Sequence, residues 1–324
     1  MSHSKIFITR LIPDLGLALV REHFPAADIW PADLPPTREQ LLEKVRGVDG
    51  LLCMLTERID AELMDAAGPQ LKVISSMSVG VDHIDIAEAT KRGIPVGNTP
   101  GVLTDATADQ AFALLLATAR RVVEGVDYIR EGQWITWHPQ LLLGADLAGA
   151  TLGIVGFGRI GQAVAKRAQG FDMRVIYHSP SAQPAHNAQR VDLDTLLRES
   201  DFVSINVPLT EKTRHLVNAE FLAKMKPTAV LVNTARGGVL DQTALYNALK
   251  SDQIFAAALD VTDPEPLPMN SPLLELKNCI IVPHLGSASH KTRNLMSKLA
   301  VENLIAGMDG DKLPNCVNVD VCRS

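Results

Sequence analysis

The chain has 324 residues, 46% of them hydrophobic and 21% charged, with a formal net charge of −6. That length is generous for one core and sets an expectation of two domains. The acidic balance and the lack of a Lys/Arg cluster disfavour nucleic acid and anionic membranes as partners, and no run of about 18 apolar residues offers a membrane span.

The opening "MSHSKIFITR" reads as an exposed tip entering a first strand rather than a signal peptide. Strands are predicted at "KIFITR", "GLLCML", "KVISSM" and "IPVGN", with helical periodicity in "TREQLLEKVRG" and "IDIAEATKRG" and a loop at "PADLPP" (31–36). "LTDATADQAFALLLATARRVVEGVDYIREG" then reads as one long helix able to bridge two domains. The segment "QWITWHPQLLLGADLAG" (133–149) has two Trp and no period. A connection so long and apolar is expected either to fold back on its own domain or to pack against a second subunit.

A second series of strands follows at "TLGIVG", "RVIYH", "FVSINV", "AVLVNTA", "FAAALDV" and "CIIVPH". Helical patterns lie in "DQTALYNALK" and "KTRNLMSKLAVENLIAGM", and a loop in "SPSAQPAHNAQ" (179–189). Short, almost wholly apolar strands joined by helices imply parallel sheets covered on both faces, so the class is α/β. Of the four cysteines, Cys53 and Cys279 sit in apolar runs as small core residues, and Cys316 and Cys322 form no CxxC pair. That usage suits a reducing compartment, most simply the cytoplasm. His83, His138, His178, His215 and His290 lack metal-ligand spacing, and no metal site is read.

Gly156, Gly158 and Gly161 stand in G-x-G-x-x-G spacing, after an apolar strand and at the start of an amphipathic helix. Gly156 suits a tight turn, Gly158 the approach of a pyrophosphate and Gly161 close helix–strand packing. A dinucleotide is therefore expected. Ser179, 18 residues beyond Gly161, stands where an NAD site places an acid. A hydroxyl there can donate to a 2′-phosphate, although Pro180 and Ser181 follow in place of an Arg. The reading favours NADPH, with NADH as the alternative.

Three later strands are followed by polar groups: Arg236 in "AVLVNTARGG", Asp260 then Glu265 in "ALDVTDPEP", and His284 in "VPHLGSAS". In an open parallel sheet such ends converge on the cofactor crevice. A guanidinium suits the carboxylate and carbonyl of a 2-oxo acid. A His beside a carboxylate suits delivery of a proton to the alkoxide formed by hydride transfer.

The segments "GIVGFGRIG", "VPLTEKTRHLV", "NTARGGVLDQTAL", "ALDVTDPEP" and "VPHLGSAS", with "MSVGVDHIDI" and "GNTPGVLTDATAD" upstream, resemble the signatures of the D-2-hydroxyacid dehydrogenases. Within that family the likeness is greatest to the glyoxylate/hydroxypyruvate reductase group. The resemblance implies a flavodoxin-like substrate domain (1–102 with 290–324), a Rossmann domain (103–289) and a cleft between them. It implies Arg236, Glu265 and His284 as the catalytic set, and Val79 and Gly80 amides on the substrate carboxylate. Further implied are a dimerisation arm at 133–149 and Trp137 reaching a partner's active site, which limits substrates to two or three carbons. The cofactor residues it implies are Gly156, Gly158, Arg159, Ile160, Gly161, Ser179, Val207, Pro208, Thr213, Thr234, Ala235, Asp260, His284 and Gly286.

The expected activity is NAD(P)H-dependent reduction of glyoxylate or hydroxypyruvate to the D-2-hydroxy acid. D-lactate-type and phosphonate-type dehydrogenases are the alternatives within the family. A nucleotide-sensing corepressor on the same fold is the alternative outside enzymes; it is disfavoured because the chain begins at its first strand and ends soon after its last helix. "SSMSVG" is neutral where phosphoglycerate dehydrogenases carry a basic residue, and Glu265 stands where formate dehydrogenase has Gln.

Overall fold

A computed structural model describes residues 4–180 and 188–322 of the chain, so residues 181–187 of the predicted 179–189 loop lie outside the described residues. In chain order the elements begin β1 (Ile6–Ile8), α1 (Asp14–His23), β2 (Asp28–Ile29), α2 (Arg38–Lys44), β3 (Gly50–Cys53), α3 (Ala61–Ala67), β4 (Val73–Ser76), α4 (Ile86–Lys91) and β5 (Val96–Gly97). There follow α5 (Thr104–Ala119), α6 (Val122–Arg130), β6 (Thr151–Val155), α7 (Arg159–Ala168), β7 (Arg174–His178), β8 (Gln189–Arg190), α8 (Leu193–Glu199) and β9 (Phe202–Ile205). The chain closes with α9 (Ala219–Ala223), β10 (Val230–Asn233), α10 (Gln242–Lys250), β11 (Ala256–Leu259), β12 (Cys279–Ile281) and α11 (His290–Asp309). It divides into two compact units, 1–103 with 289–324 and 104–288.

The first unit holds a five-stranded sheet in the order β2-β1-β3-β4-β5, with every pairing parallel. That is the flavodoxin-like order. The inner strands β1, β3 and β4 are buried on both faces, and β1 and β3 are accordingly apolar without alternation, while β4 ends in the buried Ser75 and Ser76. Local signals start its helices: Thr37 and Gln40 form a reciprocal capping box on α2, and the Asp60 and Asp85 side chains accept N–H groups at the starts of α3 and α4.

The second unit holds a seven-stranded parallel sheet ordered β12-β11-β10-β9-β6-β7-β8. The chain builds outward from β6 in one direction, then returns to build from β9 in the other. The reversal, and with it the ligand-binding crevice of such sheets, lies between β6 and β9. Strand periodicity splits the core in two. Val203, Ile205, Leu231, Ala257 and Leu259 face α8, α9 and α10, while Phe202, Val230, Val232 and Ala258 face α5 and α7. The architecture is the two-domain parallel α/β class that the alternation of strands and helices predicts.

Three local expectations need correction. The predicted single helix from residue 103 to 132 is broken, because Arg121 takes a left-handed conformation (φ 51°) between α5 and α6. Ala145 N–H, returning from the 133–149 segment, takes the Ala119 carbonyl at 2.9 Å, and the Arg121 guanidinium binds both Glu124 and the Leu143 carbonyl. The end of α5 is thus closed by residues some twenty positions later, which periodicity does not register. The short strands β2 and β8 carry too few residues to show a period. Finally, Cys316 and Cys322 form a disulfide, against the expectation of reduced cysteines throughout. Cys53 and Cys279 are free; Cys53 is buried and Cys279 half-buried.

Candidate active site

The glycine loop follows β6 at the sheet reversal. Gly156 adopts φ +91°, and its position is pressed against the Asn206 carbonyl, 2.6 Å from where a β-carbon would lie. A β-carbon on Gly161 would lie 2.2 Å from the Gly156 carbonyl oxygen, so α7 starts against the turn itself. Gly158, at the N-cap of α7, faces open space with nothing within 4 Å of an added β-carbon. Nearby, at the ends of β9 and β10, the buried Asn206 Oδ1 and Thr234 Oγ1 have no hydrogen-bond partner among the described residues. Open space before a helix N-terminus, bordered by unsatisfied polar atoms, fits a dinucleotide.

Three neighbouring strands deliver the other groups. Asn233 of β10 registers with Leu259 of β11, which registers with Ile281 of β12. Arg236 and His284 therefore each lie three residues past a registered position, on strands separated by roughly 10 Å. Asn233, completely buried, holds the Arg236 turn: its Nδ2 donates to the Arg236 carbonyl at 3.0 Å and its Oδ1 accepts the Ala235 N–H at 3.0 Å. Arg236 Nη1 donates to the Ala235 carbonyl at 2.9 Å.

Asp260, 1% exposed, organises the loop after β12. Its Oδ1 accepts the Leu285 N–H at 2.6 Å and its Oδ2 the Gly286 N–H at 2.8 Å, while its carbonyl accepts the His284 N–H at 2.9 Å. Burial pushes its carboxyl above the usual carboxylate value despite those two donors. These bonds hold His284 at φ +53°, a conformation that costs a non-glycine residue energy and persists only where neighbours impose it. The imidazole so placed meets Glu265: Nδ1 and Oε1 are 3.0 Å apart, with the two side chains 26% and 34% exposed. An ionised carboxylate only accepts, so Nδ1 carries the hydrogen and Nε2 is the atom left for chemistry.

Residues 112–286 match the model of the D-isomer specific 2-hydroxyacid dehydrogenase NAD-binding domain. A glyoxylate reductase of Korarchaeum cryptofilum is 51% identical over 98% of this chain and 97% of its own. The chain belongs to the D-isomer-specific 2-hydroxyacid dehydrogenase family. A crystal structure of a Thermus thermophilus protein is 51% identical, with a TM-score of 0.91 over 97% of this chain and 99% of that one. The NADPH-dependent glyoxylate/hydroxypyruvate reductase of Sinorhizobium meliloti, solved with NADP and malonate, is 33% identical with a TM-score of 0.87, covering 100% of this chain and 99% of that one.

The other predicted positions of this dehydrogenase fall in several surroundings. Arg159 and Ile160 open α7 beside Gly158. Val207 and Pro208 follow β9, where the Thr213 hydroxyl donates to the Pro208 carbonyl at 2.6 Å and so closes its own turn. Ser179 is 7% exposed just past β7, and the Arg190 guanidinium donates to the next carbonyl, that of Pro180, at 3.0 Å. A β-carbon on Gly286 would come within 2.9 Å of Asp260 Oδ2. Trp137 is 77% exposed and its neighbour Ile135 93% exposed. Val79 and Gly80 lie in the first unit, after β4. Sequence reasoning passed over Asn206 and Asn233. Each is a polar residue at the end of an apolar strand, the same signal that drew attention to His284.

Proposed function

We propose that this dehydrogenase reduces glyoxylate and hydroxypyruvate to the corresponding D-2-hydroxy acid, with NADPH as the preferred coenzyme and the cytoplasm as its site of action. The observation that carries the reading is the His284–Glu265 pair, 3.0 Å apart in the same unit as the glycine loop and two strands from Arg236. A bound reduced nicotinamide supplies the hydride. Arg236 grips the substrate carboxylate through its planar fork and polarises the carbonyl. Glu265 keeps the imidazole oriented through Nδ1–H, and His284 releases the Nε2 proton to the oxygen that becomes the hydroxyl. Val79 and Gly80 amides are, by resemblance, further donors to the carboxylate. Asp260, Thr234, Ala235 and Gly286 line the nicotinamide end, and Gly156, Gly158, Arg159, Ile160 and Gly161 the pyrophosphate.

Two features support NADPH. No acid stands at the end of β7 to repel a 2′-phosphate, and Arg190 brings a cation to the Pro180 carbonyl there. The exposed apolar residues of α6 and of the 133–149 segment, among them Val122, Ile129, Ile135 and Trp137, support a homodimer formed through that arm. Trp137 then serves the other subunit, narrowing its substrate space to small 2-oxo acids. Steady-state rates with glyoxylate, hydroxypyruvate, pyruvate and phenylpyruvate, each with NADPH and NADH, test the whole reading. A preference for phenylpyruvate or a strong preference for NADH overturns the corresponding part.

A further inference from the structure

The loop after β4 in the first unit has an unusual hydrogen-bond balance. Its three successive carbonyls are all occupied. Ser78 O accepts the Thr99 N–H at 2.9 Å, Val79 O accepts Asn98 Nδ2 at 2.9 Å, and Gly80 O accepts the Ser78 hydroxyl at 2.7 Å. The Val79 and Gly80 N–H groups donate to nothing among the described residues. Both residues are partly exposed. Consecutive unpaired amides beside pinned carbonyls leave two adjacent donors for an anion.

The side chains that pin the loop are themselves held. Ser78 Oγ lies 2.7 Å from Ser76 Oγ, which lies 3.1 Å from His83 Nε2. The chain can run in one direction only. The Gly80 carbonyl must accept, so the single hydroxyl proton of Ser78 is spent on it. Ser76 must then donate to Ser78, and His83 must carry its proton on Nε2 to donate to Ser76. Ser76 and Ser78 are buried at 0% and 4% exposure, so no solvent exchange blurs this order. On the other side Asn98 is fixed through its backbone: its carbonyl accepts Asn303 Nδ2 at 2.9 Å and its N–H donates to the Asn315 carbonyl at 3.2 Å. Asn303 is fully buried and its Oδ1 accepts the Asn315 N–H at 2.9 Å.

We propose that Ser78, oriented through Ser76 and His83, and Asn98 are positioning residues that hold the Val79 and Gly80 amides as a carboxylate-binding nest. This rests on the reading of a 2-oxo acid as substrate. It adds a set of residues that touch neither substrate nor coenzyme but set substrate affinity. Holding the carbonyls in place keeps the amides aimed before the substrate arrives, so no ordering is left to be done on binding.

The test compares wild type, Ser78→Ala, Ser78→Thr, Asn98→Ala, His83→Phe and His83→Gln. The readouts are KM and kcat for glyoxylate, the Kd of oxamate for the coenzyme-loaded enzyme, and the Kd of NADPH by fluorescence. Ser78→Ala and Asn98→Ala should each raise the glyoxylate KM and oxamate Kd about tenfold, the weight of one lost hydrogen bond. kcat should stay within about twofold, and NADPH affinity, a property of the other unit, should not move. Ser78→Thr and His83→Gln, which keep a donor, should stay near wild type, whereas His83→Phe should raise KM several-fold. Unchanged KM and oxamate affinity in Ser78→Ala and Asn98→Ala overturn the positioning role. NADPH affinity falling in parallel also overturns it, by showing general damage. If wild type itself neither reduces glyoxylate nor binds oxamate, the substrate reading fails and the nest's role falls with it.

Discussion

Two alanine substitutions in one loop separate packing from coenzyme binding. Gly161→Ala puts a β-carbon 2.2 Å from the Gly156 carbonyl oxygen, against an ordinary contact of 3.4–4 Å. Gly156 has little room to retreat, since the Asn206 carbonyl and the Val207 side chain crowd its position. The start of α7 must therefore move by about 1 Å, and overpacking of this kind costs roughly 1–3 kcal/mol. In a domain of this size that lowers Tm by about 2–4 °C per kcal/mol. Gly158→Ala differs in kind: φ is −75°, nothing in the protein lies within 4 Å, and the unfolded chain loses freedom. Stability should hold or rise by about 0.4–1 kcal/mol. Yet the new methyl occupies the space before the α7 N-terminus, where a pyrophosphate must come close to take its N–H donors. NADPH affinity should fall at least about tenfold, a loss of about 1.4 kcal/mol. Calorimetry gives the two Tm values and fluorescence titration the two Kd values. Wild-type NADPH affinity in Gly158→Ala would refute the placement of the pyrophosphate; an undisturbed Tm in Gly161→Ala would refute the packing argument.

Four further outcomes are expected. His284→Ala should lower kcat for glyoxylate reduction by about two to four orders of magnitude, the usual weight of a general acid, and wild-type turnover would remove His284 from the chemistry. Arg236→Lys should raise KM and lower kcat together, because an ammonium lacks the two-pronged hold; kinetics within about threefold of wild type would exclude a bidentate role. Asp260→Asn places an amide donor against the Leu285 or Gly286 N–H. Because burial raises the Asp260 carboxyl in the folded state, its contribution to stability is full below the ordinary value of 3.8 and is lost as pH rises through the folded value. The stability gap between wild type and this variant, from urea unfolding at several acidic pH values, should accordingly narrow with rising pH; a widening gap contradicts the sign. Burial pushes the Cys53 thiol far up and the Cys279 thiol up to about 12, so a thiol reagent should find almost nothing in the native protein. After unfolding without reductant it should find two thiols, and four would exclude the Cys316–Cys322 disulfide.

The glycine loop was legible because all its determinants lie within one short strand–turn–helix stretch. The apolar strand, the spacing of Gly156, Gly158 and Gly161, and the amphipathic α7 are all local. The candidate residues Arg236, Glu265 and His284 were legible for a related reason, since each follows a short apolar run that reads as a strand. The 3.0 Å approach of His284 to Glu265, nineteen residues apart, is not local; it needs the left-handed turn at His284 and the Asp260 clamp that imposes it.

What the sequence by itself determined is the alternation of strand and helix, and with it the parallel α/β class, because side-chain periodicity and helix caps act over a few residues. Only the tertiary structure decided the strand orders, the break between α5 and α6 at Arg121, the pairing of Cys316 with Cys322, and the tying of every carbonyl around Val79 and Gly80. Apart from the disulfide and the Ser78–Gly80 bond, whose partners are near in sequence, these depend on hydrogen bonds between residues tens of positions apart. Such bonds follow the path of the folded chain, and a residue's type alone does not announce which distant carbonyl it will meet.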